Sequence, residues 1–448
     1  MIGPEKNEYK TQARGILRLG GPLIVNNLAV AGMQFADAVM AGSLGARELA
    51  AVAVGGSVWF LGFAVCLGIM MAISPIVSRH FGAGDYDLIG RYARQGVYLA
   101  LFMGVPLLLL GQFSATPLLE TVGIDADFRD LTVGYVGAIT FGAPGIFTFL
   151  ALRFTTEGVG RTHPIMFTSI FALVCNVFLN YVLMFGHFGA PAMGAVGCGY
   201  ASAITMWLIA LVLATYMLIS PHYHRFHIFR VAPLRLSVFK EIIHLGVPIA
   251  ITITAEAGLF SAVSILIGTR GTAITAANQI ALNFSSTTFM IPLALSGATT
   301  VLVGQLLGAG RQREARICGR AGILLCAGFM TLSAAFLLVF RDAVVSLYSS
   351  DATVARIAIS LLLMAAIFQI ADGVQVGAAG ALRGYKDTKV PMVVTMFAYW
   401  VLAFPLAYLA AITYQAPPNY IWAGFVVGLG AAAILLTWRF NRLSRVAG

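Results

Sequence analysis

The chain has 448 residues, of which 59% are hydrophobic and only 10% charged, with a formal net charge of +10. An ordinary soluble domain carries about 25% charged residues, so this balance excludes a soluble globular protein. The basic residues are scattered over loops between apolar runs rather than gathered on one face, which argues against a nucleic-acid-binding module.

The first fifteen residues are polar, with Glu5, Lys6, Glu8, Lys10 and Arg14. They lack the apolar centre of a cleavable signal, so the first hydrophobic run, from Ile16, is expected to stay as a helix. A spanning helix needs about 20 mostly apolar residues. Apolar runs centre near Ala29, Phe63, Met103, Ile139, Leu173, Ile209, Thr254, Phe289, Met330, Ile367, Ala403 and Gly428, which gives twelve spans. Short loops carry the breakers and charges between them, as in Arg79 to Arg94, Arg225 to Lys240 and Arg311 to Arg320. With the N-terminus in the cytoplasm, all 28 Lys and Arg except Arg47, Arg129, Arg270, Arg341 and Arg356 fall on the inner side. That bias places both termini in the cytoplasm.

The sequence also repeats. At one constant offset Leu19, Gly20 and Pro22 fall on Leu245, Gly246 and Pro248, and Gly82-Ala83-Gly84 falls on Gly308-Ala309-Gly310. After a small slip, Ala151-Leu152-Arg153 matches Ala381-Leu382-Arg383. The expected fold is therefore an all-α polytopic membrane protein of two six-helix bundles, 1–220 and 241–448, joined by a cytoplasmic linker at 221–240. An even number of spans per half makes the two halves parallel repeats about an axis along the membrane normal, the plan of many secondary transporters.

Several chemistries find no support. None of the five lysines follows a glycine, so no phosphate-cradling P-loop can be spelled. The five cysteines (Cys66, Cys175, Cys198, Cys318, Cys326) are odd in number and give no disulfide framework. Gly82-Ala83-Gly84-Asp85 spells the motif of a membrane aspartyl protease, but Asp85 sits in a charged loop with no second aspartate at depth. The histidines at 222, 224 and 227 have metal-like spacing, yet in a basic loop they read as a solvated turn. No enzyme and no cofactor is expected.

Of the 18 acidic residues, only Asp37, Glu256 and Asp372 fall inside spans. An aspartate at the centre of a membrane helix costs about 2.5–3.5 kcal/mol on insertion scales, so such residues usually face a bundle interior and mark ion or substrate paths. Glu256 lies about 14 residues into its span, roughly 21 Å from the cytoplasmic end. Asp372 is flanked by Gln369 and Gln375 at helical spacing. With Gln279 and Asn283 on the eighth span, three helices are expected to line one polar chamber, fit for a proton or Na⁺. In the first half Asn27, Gln34 and Asp37 form a stripe, Asp37 about 28 Å along its helix and hence towards the outer surface, and Asn176 and Asn180 form an i, i+4 pair. Pro22 and Pro248 are repeat-related and are candidates for moving bends, whereas the other span prolines are expected to kink helices for packing.

At these residues the chain resembles the multidrug and toxic compound extrusion (MATE) family, NorM branch. The resemblance rests on Gln34-Phe35-Ala36-Asp37-Ala38-Val39-Met40-Ala41-Gly42, on Thr254-Ala255-Glu256-Ala257, and on Ala381-Leu382-Arg383-Gly384-Tyr385-Lys386-Asp387-Thr388-Lys389-Val390-Pro391. It implies a bacterial inner-membrane antiporter, expected as a monomer in the lipid bilayer, that exports cationic drugs or dyes in exchange for Na⁺ or H⁺ and confers antibiotic resistance. Glu256 and Asp372 then correspond to the cation site of the second half, and Asp37, Asn176 and Asn180 to the cavity of the first. Phe368 stands where some members place a tyrosine. Asp351 matches one of two adjacent aspartates of a drug cavity, with Ser350 at the other. A lipid-linked precursor flippase of the wider superfamily and a major-facilitator-type transporter are the alternative functions for such a chain.

Overall fold

Backbone groups in hydrocarbon must be satisfied within their own segment, which makes helices of these apolar runs. The computed structural model describes residues 3–122, 125–348 and 351–446, and among them there is no strand. The helices in chain order are α1 (Gly3–Leu44), α2 (Ala46–Met71), α3 (Ile73–Ala83), α4 (Tyr86–Val122), α5 (Ala126–Thr140), α6 (Ala143–Gly158), α7 (His163–Phe185), α8 (Gly194–Ile219), the single turn α9 (Pro221–His224), α10 (Leu236–Gly268), α11 (Thr272–Gly308), α12 (Gln312–Tyr348), α13 (Ala352–Gly384), α14 (Lys389–Met396), α15 (Phe404–Tyr408) and α16 (Pro418–Val446). Among the described residues eleven helices are long and apolar enough to cross a membrane, and α5 with α6, bent by 44°, makes up to 12.

Proline explains the breaks. The α2–α3 break at Ala72 lies three residues before Pro75, and the α5–α6 bend precedes Pro144. Proline has no N–H to give and its ring crowds the preceding turn. Around Pro405 the ladder instead widens into two π-helical stretches, Phe397–Ala403 and Leu409–Thr413, on either side of α15. Such bulges are frequent at functional sites.

The chain forms two compact units, Val25–Ala250 and Met1–Ile24 with Ile251–Gly448. Both divisions fall two residues beyond a repeat proline, Pro22 or Pro248. Residues 221–240, read from the sequence as the linker, belong to the first unit. In that unit Tyr135, Ile139, Val52 and Met184 form a core cluster, and the early turns of α10 pack on α2, where a Cβ on Gly68 would lie 2.3 Å from Ala250 Cα. In the other, Ile16 of α1 joins Leu295, Ala298 and Val376, while Leu259, Phe368, Tyr399, Trp422 and Phe425 form a larger cluster. Small residues let the helices approach closely, as membrane packing requires: a Cβ on Gly380 would meet Ser296 Oγ at 2.3 Å, and one on Gly322 would meet Thr299 Oγ1 at 2.3 Å.

Candidate functional site

Each unit buries its own polar cluster. In the unit containing 251–448, Asp372 and Gln375 project from α13 one turn apart, and both are buried. Glu256, half-buried on α10, lies within electrostatic reach of Asp372. The π-helical stretch before Pro405 adds Tyr399, which is fully buried. Its hydroxyl faces Gln375, with Glu256 and Asp372 nearby. Three oxygens of this cluster, Asp372 Oδ1, Gln375 Oε1 and Tyr399 Oη, are buried without a hydrogen-bond partner. Leaving such a group unpaired costs about 1–3 kcal/mol, so the site is suited to a guest that oxygen ligands satisfy. Na⁺ fits that donor set, and so does a proton shared between the carboxyls.

Of the neighbouring amides, Gln369 is engaged at both ends, whereas Asn278 is engaged only through its oxygen and keeps a buried Nδ2 without a partner. Gln369 accepts from Ser333 Oγ at 3.0 Å and donates to Thr288 Oγ1 at 3.3 Å. Asn278 accepts from Trp422 Nε1 at 3.0 Å. Arg383, at the end of α13, donates to Ser296 Oγ at 2.9 Å and contributes a positive charge felt at Glu256.

In the unit 25–250, Asp37 of α1 accepts from Asn180 Nδ2 at 2.5 Å. The same amide reaches Asn176 Oδ1 at 3.4 Å, and Asn176 Nδ2 reaches Ser202 Oγ at 3.5 Å. Cys198 and Tyr135 also face the aspartate. Nearer the other end of α1, Asn26 is buried between Ser169 Oγ at 2.5 Å and the Arg153 guanidinium at 3.1 Å.

Asp37, Asn176 and Asn180 thus meet in one unit, and Glu256, Asp372 and Gln375 in the other. Gln34 is exposed and outside the first cluster. Gln279 and Asn283 lie on the exposed side of α11, where Asn283 accepts from Tyr348 Oη at 3.1 Å. The polar chamber draws on α10, α13 and the stretch bearing Tyr399, and not on that stripe. Phe368 packs edge-on to Trp422 at 5.5 Å and near Phe425 at 6.3 Å, as core. Asp351 caps α13, accepting from Thr353 N at 2.7 Å and Val354 N at 3.1 Å. Ser350 lies outside the described residues.

The loop histidines do not converge. His224 Nε2 contacts Leu218 O at 2.8 Å, and His222 stands against Arg225 at 3.3 Å. Among the described residues no three His, Cys, Asp or Glu side chains could hold a metal ion. Burial and the adjacent Arg161 and Arg225 push the His222 imidazole down to about 4. Asp85, exposed, lies 3.7 Å from the half-buried His80 Nδ1, an ion pair when that imidazole is protonated.

Sequence reading missed Tyr399, Asn278 and Asn26. The nearest signal for Tyr399 was Pro405, six residues on in the same span.

Two helical bundles, each holding a carboxylate among amides inside apolar spans, define a polytopic helical membrane transporter. The chain belongs to the MATE family: the MatE family model matches residues 22–182 and 248–409, once in each half of the repeat. Multidrug resistance protein PmpM of Pseudomonas aeruginosa is 38% identical over 442 residues, covering 97% of this chain and 92% of the relative. Multidrug resistance protein NorM of Vibrio vulnificus is 35% identical over 444 residues, covering 98% and 97%. The same fold is found in the eukaryotic MATE transporter AtDTX14, with a TM-score of 0.87 at 23% identity over 98% of this chain and 99% of that one. A MATE crystal structure in the bent conformation gives a TM-score of 0.88 at 20% identity, with 100% of both chains covered.

Proposed function

We propose that this protein is a multidrug efflux transporter of the bacterial inner membrane, with both termini cytoplasmic, that exchanges cationic drugs or dyes for Na⁺ or H⁺ by alternating access. The relatives named above as multidrug resistance proteins support the substrate class. The observation that carries the coupling is the group of unpartnered buried oxygens on Asp372, Gln375 and Tyr399 beside Glu256. An inward-moving Na⁺ or proton entering this group cancels one of the two carboxylate charges, relieves their mutual repulsion and gives the orphan oxygens a partner. The state that holds it is thereby stabilised over the state that lacks it, and a shift in population of this kind is what a gradient needs to drive a transporter. Asp37 with Asn176 and Asn180 supplies a second carboxylate cluster for the positive charge of a drug, whose aromatic surface suits Phe, Tyr, Trp and Met walls.

The test is dye efflux from proteoliposomes under separate Na⁺ and pH gradients. Glu256→Gln and Asp372→Asn should each abolish ethidium transport while the protein still inserts and folds. Full extrusion by either variant removes that residue from coupling. Wild-type protein inert under both gradients with several dyes favours the lipid-linked precursor flippase instead.

A further inference from the structure

The segment between α9 and α10 is bound to the first turns of α4. Arg94 Nη1 donates to His227 O. Gln95 holds the backbone twice, donating to Pro233 O at 2.9 Å and accepting from Arg235 N at 2.9 Å, and Tyr98 Oη donates to Ala232 O at 3.3 Å. Gly90 permits the approach, since a Cβ there would lie 1.7 Å from Phe226 O. Between this strap and α4 is a cavity of about 260 Å³ lined by Asp87, Arg91, Arg94, Phe226, His227 and Arg230.

Three features give the cavity a ligand chemistry. Three guanidiniums converge on it, and Arg91 and Arg230 are close enough to Arg94 to repel it, with Asp87 as the one carboxylate of the lining. Arg94 Nε is buried without a hydrogen-bond partner. The strap beside it exposes apolar side chains, Phe229 by 43%, Val231 by 97%, Leu234 by 59% and Leu236 by 66%. A surplus of arginine next to exposed aliphatic side chains suits the boundary between lipid headgroups and acyl chains, where arginines keep their heads polar and their neighbours in hydrocarbon. The Lys and Arg bias assigns this loop to the cytoplasmic side, where anionic lipid attracts basic segments.

We propose that this cavity binds the phosphodiester headgroup of an anionic phospholipid, held by Arg91, Arg94 and Arg230, with its acyl chains lying over Val231, Leu234 and Leu236. A planar guanidinium fork matches phosphate oxygens in pairs. The apolar side chains select lipid over free phosphate, because orthophosphate gains nothing from them.

The purified full chain is incubated with phosphatidylglycerol or phosphatidylcholine, and the lipid retained is counted by native mass spectrometry. Wild type should keep phosphatidylglycerol preferentially. Arg91→Ala with Arg230→Ala should weaken retention about 30-fold, which corresponds to about 1 kcal/mol per arginine near a lipid surface. Val231→Ser with Leu234→Ser alters only exposed side chains, keeps the fold intact, and should weaken it as well. Millimolar orthophosphate should not displace the lipid. Equal retention by wild type and both double variants overturns the proposal. Displacement by orthophosphate, with the serine variants unchanged, makes the cavity a free-phosphate site and overturns it too.

Discussion

Replacing Tyr399 by Phe removes one hydroxyl and leaves the ring in place. That hydroxyl is buried and closes no hydrogen bond of ordinary length, with Gln375 its nearest partner within electrostatic reach and Glu256 and Asp372 beyond. An unpaired buried donor costs about 1–3 kcal/mol, so the ion-free protein should be more stable without it, by about 1 kcal/mol or more once partial relaxation is allowed for. If the hydroxyl is an oxygen ligand of the coupling ion, its loss costs the bound state a comparable amount. The half-saturating ion concentration should then rise roughly 5- to 30-fold. Thermal unfolding in detergent without Na⁺ gives the first quantity, and dye efflux titrated against Na⁺ at fixed pH, then against pH without Na⁺, gives the second. The two effects have opposite signs, which no simple packing defect reproduces. A lower melting temperature together with an unchanged requirement for both ions would refute the reasoning and make Tyr399 core alone.

Two further outcomes are expected. Asp351→Ala should cost about 1 kcal/mol of stability through the lost cap on α13, whereas Asp351→Asn, which still caps, should match wild type in both unfolding and drug transport. A transport defect in the Asn variant with normal stability would instead place the charge in drug recognition. For His222, folding lowers the imidazole from its usual 6.5 to about 4, so between those values the unfolded chain binds more protons than the folded one. Stability should therefore fall as the pH drops from 6.5 towards 4 and be unaffected by this group above 7. His222→Gln should flatten that part of the thermal-unfolding pH profile, and an identical profile would show that the histidine is not the titrating group.

The carboxylates were legible because a charge inside an apolar run is rare and costly. Glu256 and Asp372 needed no neighbour to be noticed. The partners were harder, since a membrane helix is apolar on several sides and the sequence gives little to orient it. Gln279 and Asn283 lie at helical spacing, yet their stripe is exposed, while Asn278, one residue earlier and about 100° around the helix, is the buried amide. Tyr399 escaped for a different reason. Tyrosines in spans usually read as interfacial anchors, and the π-helical turns ahead of Pro405 shift the register that would have shown which way it points. Asp351 and Phe368, carried by resemblance, are a helix cap and a core ring in this chain.

The boundaries at Ile24 and Ala250 also dictate an order of assembly. Ile16 is made early but finds Leu295 and Ala298 only after about 280 more residues have been added, a wait of roughly 15–60 s at ordinary synthesis rates. Residues 236–250, in turn, complete the unit begun by Val25. Cutting the gene between the two sequence repeats therefore yields two polypeptides that each retain the wrong end of a helix. Neither should mature alone, and co-expression should restore both, as fragments that complement one another rather than as independent domains.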